Sequence, residues 1–160
     1  MIELAAQAIT VGDVLKERGD TVATSESSTG GLISAALLSI PGASAYFTGG
    51  VVVYTGTART AFLGIDLDDH PDMRSATEEY ALLTARTVRE RLGTTWGLAE
   101  TGAAGPTGNR YGDNAGHTCI AIAGPREHVE TLETGLADRG DNMQRFAQRA
   151  LEVFALVLGS

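Results

Sequence analysis

Val-Ala-Thr-Ser-Glu-Ser-Ser-Thr-Gly-Gly-Leu-Ile-Ser-Ala-Ala-Leu-Leu, residues 22–38, is the stretch on which the fold turns. Val22 to Ser25 reads as a short strand and Gly30-Gly31 as a break. Leu32 to Leu38 is an apolar helical stretch that Ser28 or Thr29 is placed to cap. A strand, a hydroxyl-rich turn and a helix in close succession are the marks of an α/β protein. Upstream, Leu4, Ala8, Val11 and Leu15 recur at helical spacing and Gly19 follows, which predicts a helix over 2–18. Downstream, Pro41-Gly42 ends the helix, and Gly49 to Tyr54, a glycine pair before three valines, reads as a buried strand. Ala81, Ala85, Val88 and Leu92 share one face of a second long helix closed by Gly93. Residues 96–101 make a further strand, and Thr118 to Ala123 and His128 to Thr134 are two more, joined by a turn at Gly124-Pro125. A last helix runs from about Asp141 to Leu158, with Phe146, Ala150, Val153 and Val157 inward. The expected architecture is α/β, a three-layer α/β/α sandwich around a central sheet, in a single domain over 1–160. The polar segment Asp66 to Ser75 reads as an exposed loop.

The chain has 160 residues, 43% of them hydrophobic, enough for one continuous core. A net charge of -8 argues against nucleic acid, whose phosphates need clustered Lys and Arg. The single cysteine, Cys119, excludes an intramolecular disulfide and suits a reducing compartment. Met1 to Ala8 has no basic region ahead of a long apolar run, so it does not read as a secretory signal, and no apolar run reaches the roughly 20 residues that span a bilayer. A soluble, cytoplasmic protein with no membrane partner is expected. Lys16 is the only lysine, a skew that reads as coding bias.

Three segments fall where strands end, the place where open α/β sheets bind ligands. Ser25-Glu26-Ser27-Ser28-Thr29-Gly30-Gly31 brings hydroxyls to a helix start, which suits a phosphate site or a serine nucleophile, and equally a capping box with spare serines. Glu26 reads as an orienting carboxylate or a solvated charge. In Tyr54-Thr55-Gly56-Thr57-Ala58-Arg59 a phenol and a cation could flank a carbonyl or phosphate, but a strand-ending Tyr and an exposed Arg are the plainer reading. Thr101-Gly102-Ala103-Ala104-Gly105-Pro106-Thr107-Gly108 allows close backbone approach to a ligand, and binding is favoured there over a simple crossover turn. His70, His117 and His128 are scattered without metal-ligand spacing, so no metal and no cofactor are expected. Trp96 and Phe146 read as core.

Together these segments resemble the CinA C-terminal family, which includes PncC-type nicotinamide-nucleotide amidases. Residues 25–31 stand against the family's AESCTGG, Gly49 to Tyr54 against GGVVAY, and Thr101 to Pro106 against TGIAGP. Residues 41–47 stand against PGSSAYF, and Ala137-Asp138-Arg139 against GDR. The resemblance implies a three-layer α/β/α sandwich with a central mixed, mostly parallel sheet and a homo-oligomer, a dimer or trimer. It also implies hydrolysis of the carboxamide of nicotinamide mononucleotide to nicotinic acid mononucleotide and ammonia. It places Ser27 at the nucleophile, Tyr54 and Thr101 at polar active-site positions, and Arg139 at a substrate-contacting or catalytic arginine. Thr29, Gly30, Gly31 and the Gly105 loop would line the same pocket, with Glu26, Ser28 and Gly102 beside them as further substrate-binding residues. The chain departs from the family at Arg59, where amidase members carry the lysine that ends YSNEAK, and at residues 114–118, which replace KPVGTV and introduce His117. Arginine stays protonated and cannot serve as the base. Arg59 then stabilises charge or phosphate; the alternative is a catalytically lapsed nucleotide-binding module, or a regulatory one. His117 could substitute as the base, although a surface or strand-edge histidine is the plainer reading.

Overall fold

A computed structural model describes residues 2–160. The helices are α1 (Ile2–Arg18), α2 (Leu32–Leu38), the single turn α3 (Gly56–Ala58), α4 (Glu78–Leu92) and α5 (Arg139–Gly159). The strands are β1 (Val22–Glu26), β2 (Phe47–Val52), β3 (Trp96–Ala103), β4 (His117–Ala123) and β5 (His128–Glu133). They form one sheet in the order β2-β1-β3-β4-β5. β1 pairs in parallel with β2 and β3, whereas β3–β4 and β4–β5 are antiparallel. The sheet is thus mixed, parallel across β2-β1-β3 and antiparallel across β3-β4-β5, and only β4 runs against the other four strands.

Strand parity sorts the side chains into two layers, because successive residues point to opposite faces. Val22, Trp96, Leu98, Ile120 and Ile122 join a core with Leu4, Ala8, Val11 and Leu15 of α1, α2, and Phe146, Ala150, Leu151 and Phe154 of α5. Trp96 meets Phe154 edge-on, with ring centroids 5.8 Å apart. The opposite face carries small residues, Ala99, Cys119 and Ala121, under Ala81 and Ala85 of α4. Helix and sheet are close there: a Cβ on Gly97 would strike the Ala85 carbonyl. Burying both faces explains why β1 and β4 are buried along their whole length.

Three local expectations are corrected. Neither Ser28 nor Thr29 caps α2; its N-cap is Gly31, at φ 103, and the Glu26 carboxylate takes the first free amides instead, from Ile33 and Ser34, both at 2.9 Å. The turn between β1 and α2 lets a strand side chain reach those amides. The valine strand is not a buried central strand. It begins at Phe47, ends at Val52, and lies at the edge of the sheet with alternating exposure. Tyr54 therefore sits two residues beyond the strand. Thr101 lies within its strand, which runs on to Ala103.

Candidate functional site

The chain leaves β1 toward β2 on one side and returns to β3 on the other, so the loops diverge at the carboxyl ends of β1 and β3, where such sheets take ligands. Parity sets what each residue there does. Glu26 and Glu100 point with Val22 and Trp96 toward the α1/α2/α5 layer, while Ser27 and Thr101 point with Ala23 and Ala99 toward α4.

Both glutamates are buried, 1% and 2% exposed, and such carboxylates require full hydrogen bonding. Glu100 accepts from the Ser27 N–H (3.1 Å), the Thr29 N–H (2.9 Å), the Thr29 hydroxyl (2.9 Å), the Thr118 hydroxyl (2.8 Å) and the Ser28 hydroxyl. Glu26 accepts from the Ser34 hydroxyl (2.6 Å) and the α2 amides, and lies 2.8 Å from the Thr29 hydroxyl, whose single proton it shares with Glu100. The pair clamps the 27–29 turn from beneath. Ser28 and Thr29, buried against Glu100, lie outside the cleft wall, as do Glu26, Gly30 and Gly31. Glu100 was missed in the sequence, where its one signal is a charge at a buried parity inside the apolar strand 96–101.

On the α4 side lies a cleft of about 390 Å³, lined by Ser27, Tyr54, Arg59, Ser75, Ala76, Tyr80, Thr101, Gly102, Arg110 and Tyr111 among others. Among the described residues, no Asp, Glu, His or Lys lines it. Ser27 is tied down through its backbone N–H, and its hydroxyl has no hydrogen-bond partner among the described residues. Arg59 lies 5.8 Å above the Tyr80 ring, and its buried Nε has no partner among the described residues. The exposed Arg of the sequence reading is therefore half-buried, drawn in by the aromatic face. Arg110 and Arg74 stand 5.0 and 4.7 Å from the Tyr111 ring, and Arg74 also pairs with Asp113 at 2.8 Å. The Ser75 and Arg110 contacts hold the Tyr111 phenol below its ordinary value, against the effect of burial. Burial pushes the Asp113 carboxyl up, but Arg74 and Asn109 outweigh it and leave it lowered.

Arg139 is the first residue of α5 and does not line the cleft. It bridges the rim, donating to the Gly105 carbonyl (2.6 Å) and to the Tyr54 hydroxyl (3.0 Å). Gly105, at φ 118, lies where a Cβ would meet the Ala137 carbonyl at 2.5 Å. The Thr101 oxygen accepts from the Ala76 N–H at 3.0 Å, which leaves its own proton for a ligand. Ala76 holds φ 59, the left-handed region, at a cost of about 1–3 kcal/mol. His117 corrects its sequence reading: it is 7% exposed, pointing with Cys119 toward α4, and it bonds the Ala76 carbonyl at 2.8 Å and Glu133 at 2.5 Å. Because it does not line the cleft, it is not set to take a proton from Ser27 there.

A three-layer α/β/α protein with a hydroxyl- and arginine-lined cleft at the β1/β3 strand ends is thus defined. The chain belongs to the CinA C-terminal domain family, which it matches over residues 4–158. It is 38% identical over 142 residues to a CinA-like protein of Salinibacter ruber, covering 89% of this chain and 34% of that one. To a CinA-like protein of Synechocystis it is 40% identical over 129 residues, covering 81% and 31%. The chain therefore spans about a third of the length of the curated relatives it matches. The competence/damage inducible protein CihA from Agrobacterium tumefaciens superposes with a TM-score of 0.90 at 27% identity, covering 99% of this chain and 96% of that one. A CinA superfamily protein from Klebsiella pneumoniae shares the fold, with a TM-score of 0.91 at 22% identity over 98% of both chains. Among the described residues, no helix is long and apolar enough to cross a membrane.

Proposed function

We propose that this chain is an amidohydrolase that converts nicotinamide mononucleotide to nicotinic acid mononucleotide and ammonia. The observation that carries the reading is a free serine hydroxyl, Ser27, in a cleft with two guanidiniums and no carboxylate among its lining residues. Such a cleft selects an anionic ligand, and the resemblance to PncC-type amidases supports a nucleotide amide as the substrate class. Ser27 Oγ attacks the carboxamide carbon while the Thr101 hydroxyl donates to the developing oxyanion. The serine proton passes through water to the departing nitrogen, the C–N bond breaks and ammonia leaves. Water then hydrolyses the ester, releasing the carboxylate and restoring Ser27. Arg59, permanently charged, holds the phosphate.

One observation favours a second reading, a nucleotide-binding module without turnover: neither lysine nor histidine is among the lining residues to act as base. Ammonia release from nicotinamide mononucleotide by the parent, Ser27→Ala and Arg59→Lys separates the two. The amidohydrolase reading expects turnover in the parent, lost by at least about 10³-fold in Ser27→Ala, with calorimetric binding retained. An inert parent that binds the nucleotide, with activity gained in Arg59→Lys, establishes the binding module. Absence of nucleotide binding in every variant overturns both.

A further inference from the structure

We propose that His117 is a positioning residue for the cleft, holding Ala76 in its left-handed conformation so that the Ala76 N–H fixes the Thr101 hydroxyl toward a bound ligand. Ala76 is gripped at both ends of its peptide links: its N–H donates to Thr101 Oγ1 at 3.0 Å, and its carbonyl accepts from His117 Nε2 at 2.8 Å. It is the non-glycine residue with positive φ among the described residues, and surrounding contacts must hold such a conformation in place. It also lines the cleft beside Thr101. A free Ala76 would relax, and the Thr101 oxygen would lose the donor that turns its proton outward.

The partners of His117 also set its charge. A carbonyl only accepts, so Nε2 carries a proton; the Glu133 carboxylate at 2.5 Å accepts as well, so Nδ1 carries one. Both contacts together require the imidazolium. The charged and titratable groups around it are Glu133 on β5, Asp113 at 3.7 Å ahead of β4, with Arg74 paired to it, and Cys119 Sγ at 3.8 Å on β4. Glu78 on α4 is engaged by Thr131. Burial alone would lower the His117 value, but the bonds to Glu133 and Ala76 and the charge of Asp113 outweigh it, and the net shift is upward from 6.5. The sign follows: the grip is complete at low pH and persists above 6.5, then is lost as pH rises through the folded value. The neutral ring keeps a single proton, which the Glu133 carboxylate, a stronger acceptor than a carbonyl, retains on Nδ1; Nε2 then faces the Ala76 carbonyl without a proton, so the grip on Ala76 is lost on the alkaline side.

The inference about geometry stands without a substrate; only its effect on turnover rests on the amidohydrolase reading. The test follows the Ala76 amide and the His117 ring by NMR in the labelled full chain from about pH 5 to 9, alongside ammonia release from nicotinamide mononucleotide. The Ala76 amide is expected to move with the ring titration, and turnover to fall along the same curve. His117→Gln keeps a donor for the Ala76 carbonyl at every pH, so its amide and turnover profiles should be flat across that range. His117→Ala should speed Ala76 amide exchange and lower turnover, each by roughly tenfold, the weight of one hydrogen bond. An Ala76 amide indifferent to the ring titration, or a parent-like pH response in His117→Gln, overturns the proposal whether or not ammonia is released. If the amide tracks His117 but no variant releases ammonia, the positioning stands and the amidohydrolase reading fails.

Discussion

Glu100 gathers five donor groups around two oxygens, four of them from Ser27, Ser28 and Thr29, with the single Thr29 hydroxyl proton shared with Glu26. Its charge is dispersed over amides and hydroxyls instead of a cation, so it orders the turn that carries Ser27 without placing an acid in the cleft. An amide cannot reproduce this. In Glu100→Gln one side of the group becomes a donor facing donors, and each orphaned partner costs about 1–3 kcal/mol. Urea unfolding should show a loss of about 2–4 kcal/mol, against less than about 0.5 for Glu127→Gln in an exposed ion pair. Equal losses in the two variants would mean that Glu100 merely fills space. Residue roles of this kind were the least legible in the sequence. Ser27 and Thr101 stand out as polar residues at strand ends, and Arg59, whose plainer reading is an exposed cation, gains a role only through the family resemblance, whereas Glu26 and Ser28 resemble ligand contacts until the fold turns them beneath the surface.

At the scale of elements, hydrophobic periodicity was a good guide wherever one face meets a core. The α1 and α4 spacings and the β3, β4 and β5 segments all appear within a few residues of their expected bounds. It failed where tertiary contact decides: the α2 cap comes from the preceding strand, and the valine run becomes an edge because its outer neighbour in the sheet is missing, a matter of topology that composition does not encode. The α4–sheet contact is a third example. Gly97 reads as an unremarkable strand residue, yet it permits α4 to lie against β3, since a Cβ there meets the Ala85 backbone and Arg89 Cβ. The start of α4 brings Tyr80, and the residues just before it Ser75 and Ala76, to the cleft. Gly97→Ala should therefore destabilise by about 1–3 kcal/mol through overpacking and weaken nucleotide binding as the cleft wall shifts. Denaturant melts together with calorimetry check both. Unchanged stability would show that α4 can slide at no cost.

For the molecule as a whole, the cleft's chemistry opposes its surroundings: an arginine-bearing pocket sits in a chain of net charge -8. At about 0.01 M salt the screening length is about 30 Å, so an approaching anion feels the entire negative molecule; at about 0.15 M it shrinks to about 8 Å, and only the mouth of the cleft counts. Association of an anionic nucleotide should therefore speed up with added salt, by a few fold over that range, the reverse of ordinary steering. The half-buried Arg59 is screened less than surface charge, so dissociation should change little. The effect should be larger for nicotinic acid mononucleotide than for nicotinamide mononucleotide, because hydrolysis replaces a neutral amide with a carboxylate and adds one negative charge. Stopped-flow binding at the two salt concentrations measures this directly. An on-rate that falls with salt would show that Arg59 and Arg110 dominate the field even at long range. On the amidohydrolase reading, that sign means that the chain's surplus acid slows rebinding of the more negative product, so a bulk property of the sequence would ease product inhibition.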